Sequence, residues 1–151
     1  MVGFRTGKEM SLPDTPGLRL ISSATAFWRA AKLLHEYDPQ SRAWAPCFVN
    51  LGLAIELGLK GFSREHGMSE AEQIALRHDL VKAFQESCAR GFRPTHPLQS
   101  KLADEINPHY KDMSLRYQIG VSADLPLLED AINATYSLVQ ALYHQSTAKY
   151  R

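Results

Sequence analysis

Residues 45–62 read APCFVNLGLAIELGLKGF, and the fold turns on that stretch. Phe48, Val49, Leu51, Leu53, Ile55, Leu57, Leu59 and Phe62 leave no broad polar face at helical spacing. A helix apolar on all sides belongs in the middle of a bundle. Three polar residues interrupt it: Asn50, Glu56 and Lys60. Glu56 and Lys60 are one turn apart on the same side, the spacing of an ion pair. Burying either charge without the other is costly, so a structural pair is the first reading of both. Gly52, Gly58 and Gly61 each cost helix propensity, roughly 1 kcal/mol relative to alanine. That cost predicts close backbone approach at those positions.

Outward from this helix, residues 1–17 read as a flexible N-terminal segment ending in SLPDTPG, and residues 18–151 as one domain. A first helix is predicted from about 18 or 22 to 37, with Ala24, Phe27, Trp28, Ala31, Leu33 and Leu34 recurring at helical period. Asp38-Pro39 stops it. The central helix is expected from about 42 to 66, capped by Gly67. Ser69 caps a short helical turn. A third helix starts at His78 or Asp79 and runs to about 89, with Leu80, Val81, Phe84 and Cys88 inward. A fourth spans about 97 to 106, stopped by Asn107-Pro108. The segment 110–121 has no clear period, and Leu115 to Val121 reads as an extended arm. Asp124 and Pro126 open a last helix to about 147, with a stripe of Leu128, Ala131, Ile132, Thr135, Leu138, Val139 and Leu142. Trp28, Trp44, Tyr110 and Tyr117 read as core or interface aromatics. The expected architecture is all-α, an up-and-down bundle of four to five helices.

Composition narrows the partners. The chain has 151 residues, 44% hydrophobic and 22% charged, with a formal net charge of +1. No global field recruits nucleic acid or a membrane surface. Cys47 and Cys88 lack metal-type spacing and read as reduced, buried residues of a cytoplasmic protein. No secretory signal is visible, and Asn50, Glu56 and Lys60 break the apolar run nearest the roughly 20 residues of a membrane span. No metal and no cofactor is expected.

The order of signals carries a resemblance. Ala54-Ile55-Glu56-Leu57-Gly58-Leu59-Lys60 is followed by His78-Asp79-Leu80 at a helix start, then by Arg116-Tyr117 before the last long helix. The series is similar to that of HEPN domains, helical bundles of bacterial toxin–antitoxin and defence systems that bind nucleotide or cleave RNA. It covers residues 24–143. The resemblance implies a homodimer, with RNA or a nucleotide as ligand and a nucleotidyltransferase-like or antitoxin protein as partner. Catalytic members resemble one another in an arginine and a histidine four to six residues apart in the last helix. Here His144 has no such arginine before it, so the resemblance implies a non-catalytic binding module.

Lys60, His78 and Arg116 are the candidate ligand-binding residues, converging on an anion. Asn50, Glu56 and Asp79 are the structural polar residues, Asp79 as a helix cap. The alternative is a metal-independent endoribonuclease, with Arg29, His35 and His78 as catalytic candidates. Arg29–His35 and Arg90–His96 each have five residues between them. Histidine moves a proton near neutral pH and arginine stabilises developing phosphate charge. Arg29 and His35 lie about 240° apart around one helix, not on one face. A third reading is a purely structural helical dimer.

Overall fold

The apolar run does form a helix, α2 (Trp44–Glu65), preceded by α1 (Pro16–Tyr37). The computed structural model describes residues 11–40, 42–117 and 124–151, with the side chains of Arg116 and Tyr117 outside that description. Leu51, Ile55, Leu59 and Phe62 of α2 are sealed in the core. Thr15 caps α1 by accepting the Leu18 amide at 3.2 Å, and Pro16 stands at its first turn. The two helices run antiparallel. Cys47 Sγ meets the Ala31 carbonyl at 3.6 Å near the connection. Gly17 and Gly61 meet at the far end, where a Cβ on Gly61 would stand 2.7 Å from the Gly17 carbonyl oxygen.

Five further helical segments follow: α3 (Glu70–Ala75), α4 (Leu80–Ala89), α5 (Pro97–Lys111), α6 (Ser114–Tyr117) and α7 (Leu128–Thr147). A 3-10 turn closes the described chain at Ala148–Tyr150. Ser69 and Glu72 form a reciprocal capping box at α3. Helices α1, α2, α5 and α7 alternate in direction around one core. Trp28 of α1 donates to the Ile132 carbonyl at 2.9 Å, and Gln99 of α5 bonds Ser137 of α7 at 3.0 Å. Helix α4 lies along α2 in the same direction, its start near Glu56, its end near His66, and the Ser87 hydroxyl 3.0 Å from the Leu59 carbonyl between them. The protein is an all-α bundle, with no strand among the described residues. By length and hydropathy α2 does reach the range of a membrane span, contrary to the expectation from sequence, and 72% of that window is buried in the bundle.

Several boundaries differ from expectation. Helix α5 continues through Asn107-Pro108 to Lys111. Pro108 removes one backbone donor, but Asn107 and Tyr110 anchor the last turn to α4 and α2, and those contacts override the stop signal. Helix α7 begins at Leu128, not near Asp124, because Leu127 holds extended backbone at φ −56, ψ 134. Residues 114–117 form a helical turn where an arm was expected; the rest of that arm, 118–121, lies outside the described residues. The buried face of α4 is Leu80, Ala83, Phe84 and Ser87, so Cys88 falls one position off it and is exposed. Leu33 likewise lies outward on α1.

The last turn of α2 ties the ends of the domain together through Glu65. Its carboxylate accepts the Tyr150 hydroxyl at 2.8 Å and the Lys149 ammonium at 3.0 Å, and takes the Thr15 hydroxyl as well. Burial pushes the Glu65 carboxyl up, but these hydrogen bonds and the Lys149 charge outweigh it and hold it below the ordinary value of 4.5. A depressed carboxyl contributes stability above its unfolded value, lost as pH falls through the folded one. The stability gap between wild type and Glu65→Gln is therefore expected to be full at pH 7 and to shrink as pH drops below 4.5. Urea unfolding along a pH series checks this. A gap that widens in acid contradicts it.

Candidate functional site: a buried carboxylate and a half-exposed histidine

Glu56 sits at the middle of α2 with its side chain 6% exposed. A carboxylate taken out of water needs both a counter-charge and hydrogen bonds to its remaining lone pairs. Three elements supply them. Lys60, one turn along α2, reaches Oε2 at 3.0 Å. The Tyr110 hydroxyl, from the end of α5, donates to Oε1 at 2.8 Å. His78 Nδ1, from the loop before α4, meets the same oxygen at 2.8 Å. The His78 and Tyr110 rings stand edge to face, 6.1 Å between centroids at 89°. Lys60 makes a second bond, to the Arg77 carbonyl, which joins α2 to the loop that carries His78.

Asp79 fixes the adjoining corner. Its Oδ1 accepts the Lys82 amide at 3.1 Å, capping α4, and the Asn107 side-chain amide at 3.2 Å. Its Oδ2 takes the Lys111 ammonium at 3.2 Å. Asn107 Oδ1 in turn accepts the Leu80 amide at 2.7 Å. Burial raises the Asp79 carboxyl, but the Lys82 amide, the Lys111 and Asn107 bonds and the Lys111 charge together hold it below its ordinary value. The start of α4 is thus bolted to α5, and His78 is held one residue ahead of that joint.

The resulting site has a rigid floor and one accessible acid–base group. The His78 side chain is 42% exposed, and its Nε2 has no partner among the described residues. Arg77, next to it in the chain, and Lys82, in the first turn of α4, are exposed, while the Lys111 ammonium is paired with Asp79. Paired with Lys60, the Glu56 carboxylate serves as acceptor, so the bond to His78 calls for a proton on Nδ1. That leaves Nε2 to accept a proton or, in the charged ring, to donate one. Among the described residues no three His, Cys, Asp or Glu side chains gather as metal ligands.

The other sequence candidates fall elsewhere. Lys60 and His78 do meet, at Glu56, but Lys60 lies beneath the site with only 7% of its side chain exposed. The Arg116 side chain lies outside the described residues. Asn50 bonds its own helix, donating to the Pro46 carbonyl at 2.8 Å. Arg29 is exposed on α1 beside Tyr143, while His35 is half-buried with Nδ1 unpartnered, and no bond joins the two. Arg90 is engaged by Glu86 at 2.8 Å and Glu72 at 3.4 Å, and His96 caps α5 through the Leu98 amide at 3.1 Å. Tyr110 and Asn107 are the site residues that sequence reasoning missed. A buried tyrosine hydroxyl needs a partner, and that requirement was the one available signal for Tyr110.

Compared with protein-family models, curated proteins and solved structures, the chain matches none.

Proposed function

We propose that this chain is a HEPN-like helical module that holds a phosphate group, of a nucleotide or of RNA, at His78, and that it works with a protein partner rather than as a free-standing enzyme. The observation that carries the reading is the half-exposed His78 ring anchored through Nδ1 on a buried carboxylate. A fixed ring presents its free nitrogen to a ligand without losing rotamer entropy on binding. The exposed Arg77 and Lys82, close to His78 in the chain, add positive charge that favours an anion, and the Lys60 ammonium neutralises Glu56. The order Glu56–Lys60, His78–Asp79, Arg116–Tyr117 supports the family likeness. By that likeness the partner is a second copy, a nucleotidyltransferase-like protein or an antitoxin.

The test is an NMR titration of uniformly nitrogen-labelled protein with inorganic phosphate and with adenosine monophosphate. Saturable shifts at His78 are expected, weakened at least about tenfold in His78→Ala as read from amide shifts of Asp79 and Lys82. That factor corresponds to about 1.4 kcal/mol, close to the lower end of what a hydrogen bond to a charged group contributes. Shifts that do not saturate, or that survive in the variant, reject the site.

A second reading, a metal-independent endoribonuclease, draws on the same dyad. A histidine oriented by a carboxylate is what a general base requires. RNA incubated with chelator separates the two: intact RNA favours the binding module, and cleavage lost in His78→Ala but kept in His35→Ala makes His78 the catalytic base.

A further inference from the structure

Arg77 holds a positive φ of 49°, a conformation that side-chain-bearing residues seldom adopt. Its own side chain does not explain this, because it is exposed and has no hydrogen-bond or ion-pair partner among the described residues. The backbone does. The Arg77 amide donates to the Ile74 carbonyl at 3.0 Å, and the Asp79 amide to the Leu76 carbonyl at 3.2 Å. Between these bonds the Arg77 carbonyl turns inward to the Lys60 ammonium. The next residue in the chain is His78, which that single left-handed turn delivers to Glu56.

We propose that Lys60 is a positioning residue for His78. Its buried ammonium clamps the Arg77 carbonyl in the left-handed turn, and the turn sets the imidazole on the Glu56 carboxylate. One lysine thus holds both supports of the histidine: the carboxylate it bonds and the loop that carries it. This deepens the reading of His78 as the phosphate-holding group and rests on it, but the first readout below needs no ligand.

A merely structural Lys60, neutralising Glu56 and nothing more, makes a different prediction. Under that account freeing the backbone at position 77 does not recover His78 once Lys60 is lost. Under ours it is decisive, because glycine enters the left-handed region without a clamp, whereas a β-branched residue resists it.

The experiment follows the imidazole nitrogen shifts of His78 in histidine-labelled protein, which report the ring nitrogen carrying the proton. Wild type is expected to show the Nδ1-protonated form. Lys60→Met should move His78 towards the mixed tautomers of free histidine and weaken inorganic phosphate binding at least tenfold. Adding Arg77→Gly to Lys60→Met should restore the wild-type signature. Arg77→Val, which leaves the buried Glu56–Lys60 pair intact, covers the case in which Lys60→Met does not fold: it should disturb His78 as Lys60→Met does, and Arg77→Gly alone should not. An unchanged His78 signature in Arg77→Val, or no recovery in the double variant where Lys60→Met folds, overturns the proposal. If the signatures follow this pattern while wild type binds no phosphate, the positioning role stands and the phosphate reading falls.

Discussion

Glu56→Ala is expected to lower the stability of the fold by about 3–5 kcal/mol, the cost of breaking a buried ion pair by removing one partner. The Lys60 ammonium would stay under the bundle surface with the Arg77 carbonyl as its remaining partner. The Tyr110 hydroxyl and His78 Nδ1 would lose their acceptor in the same step. Domains of this size have total stabilities of about 5–15 kcal/mol, so the variant sits close to unfolding. Glu56→Gln keeps the shape and an acceptor for Tyr110, and its loss should be smaller. Glu56→Leu combined with Lys60→Met removes both charges and should be more stable than Glu56→Ala, because no orphan charge remains. Urea unfolding of the four proteins measures all of this. A Glu56→Ala loss under about 1 kcal/mol would mean that water reaches Lys60 and that the site lacks the rigid floor described above.

The parts of this picture that were legible in the sequence are the local ones. Glu56 and Lys60 announce their pairing because opposite charges sit one turn apart within an otherwise apolar stretch of helix. Asp79 and Ser69 read as caps because a cap is decided within three residues of chain. The site itself was half visible. His78 and Lys60 were singled out, but what unites them is a carboxylate first read as Lys60's partner alone. Tyr110 looked like core because a hydroxyl aimed at a residue 54 positions earlier leaves no local mark. Asn107 looked like a stop signal, and its side chain instead joins α5 to the cap of α4 across 28 positions. The left-handed turn was invisible because arginine is not the residue that signals it.

Gly52→Ala joins the fold to the site and is expected to cost about 2–4 kcal/mol, although the same change in an ordinary helix interior gains about 1 kcal/mol. A Cβ at that position would stand 2.3, 2.5 and 2.9 Å from three carbons of the Tyr110 ring. The ring is 4% exposed and packed in the core, so it cannot swing aside freely. Overpacking of this kind costs about 1–3 kcal/mol. Displacing the ring also draws its hydroxyl away from Glu56, a hydrogen bond to a charged group worth about 1.5–3 kcal/mol. Close backbone approach was expected of this glycine, but what it admits is a side chain: it seats the tyrosine that holds the carboxylate that holds His78. The sign of the effect should depend on the ring. With Tyr110→Ala as background the obstruction is gone, and Gly52→Ala should become neutral or stabilising. Tyr110→Phe, which keeps the ring and removes the hydroxyl, should leave the steric part of the cost in place. Urea midpoints across this set separate the two contributions, and a stabilising Gly52→Ala in the wild-type background would mean that the ring does not depend on the missing side chain.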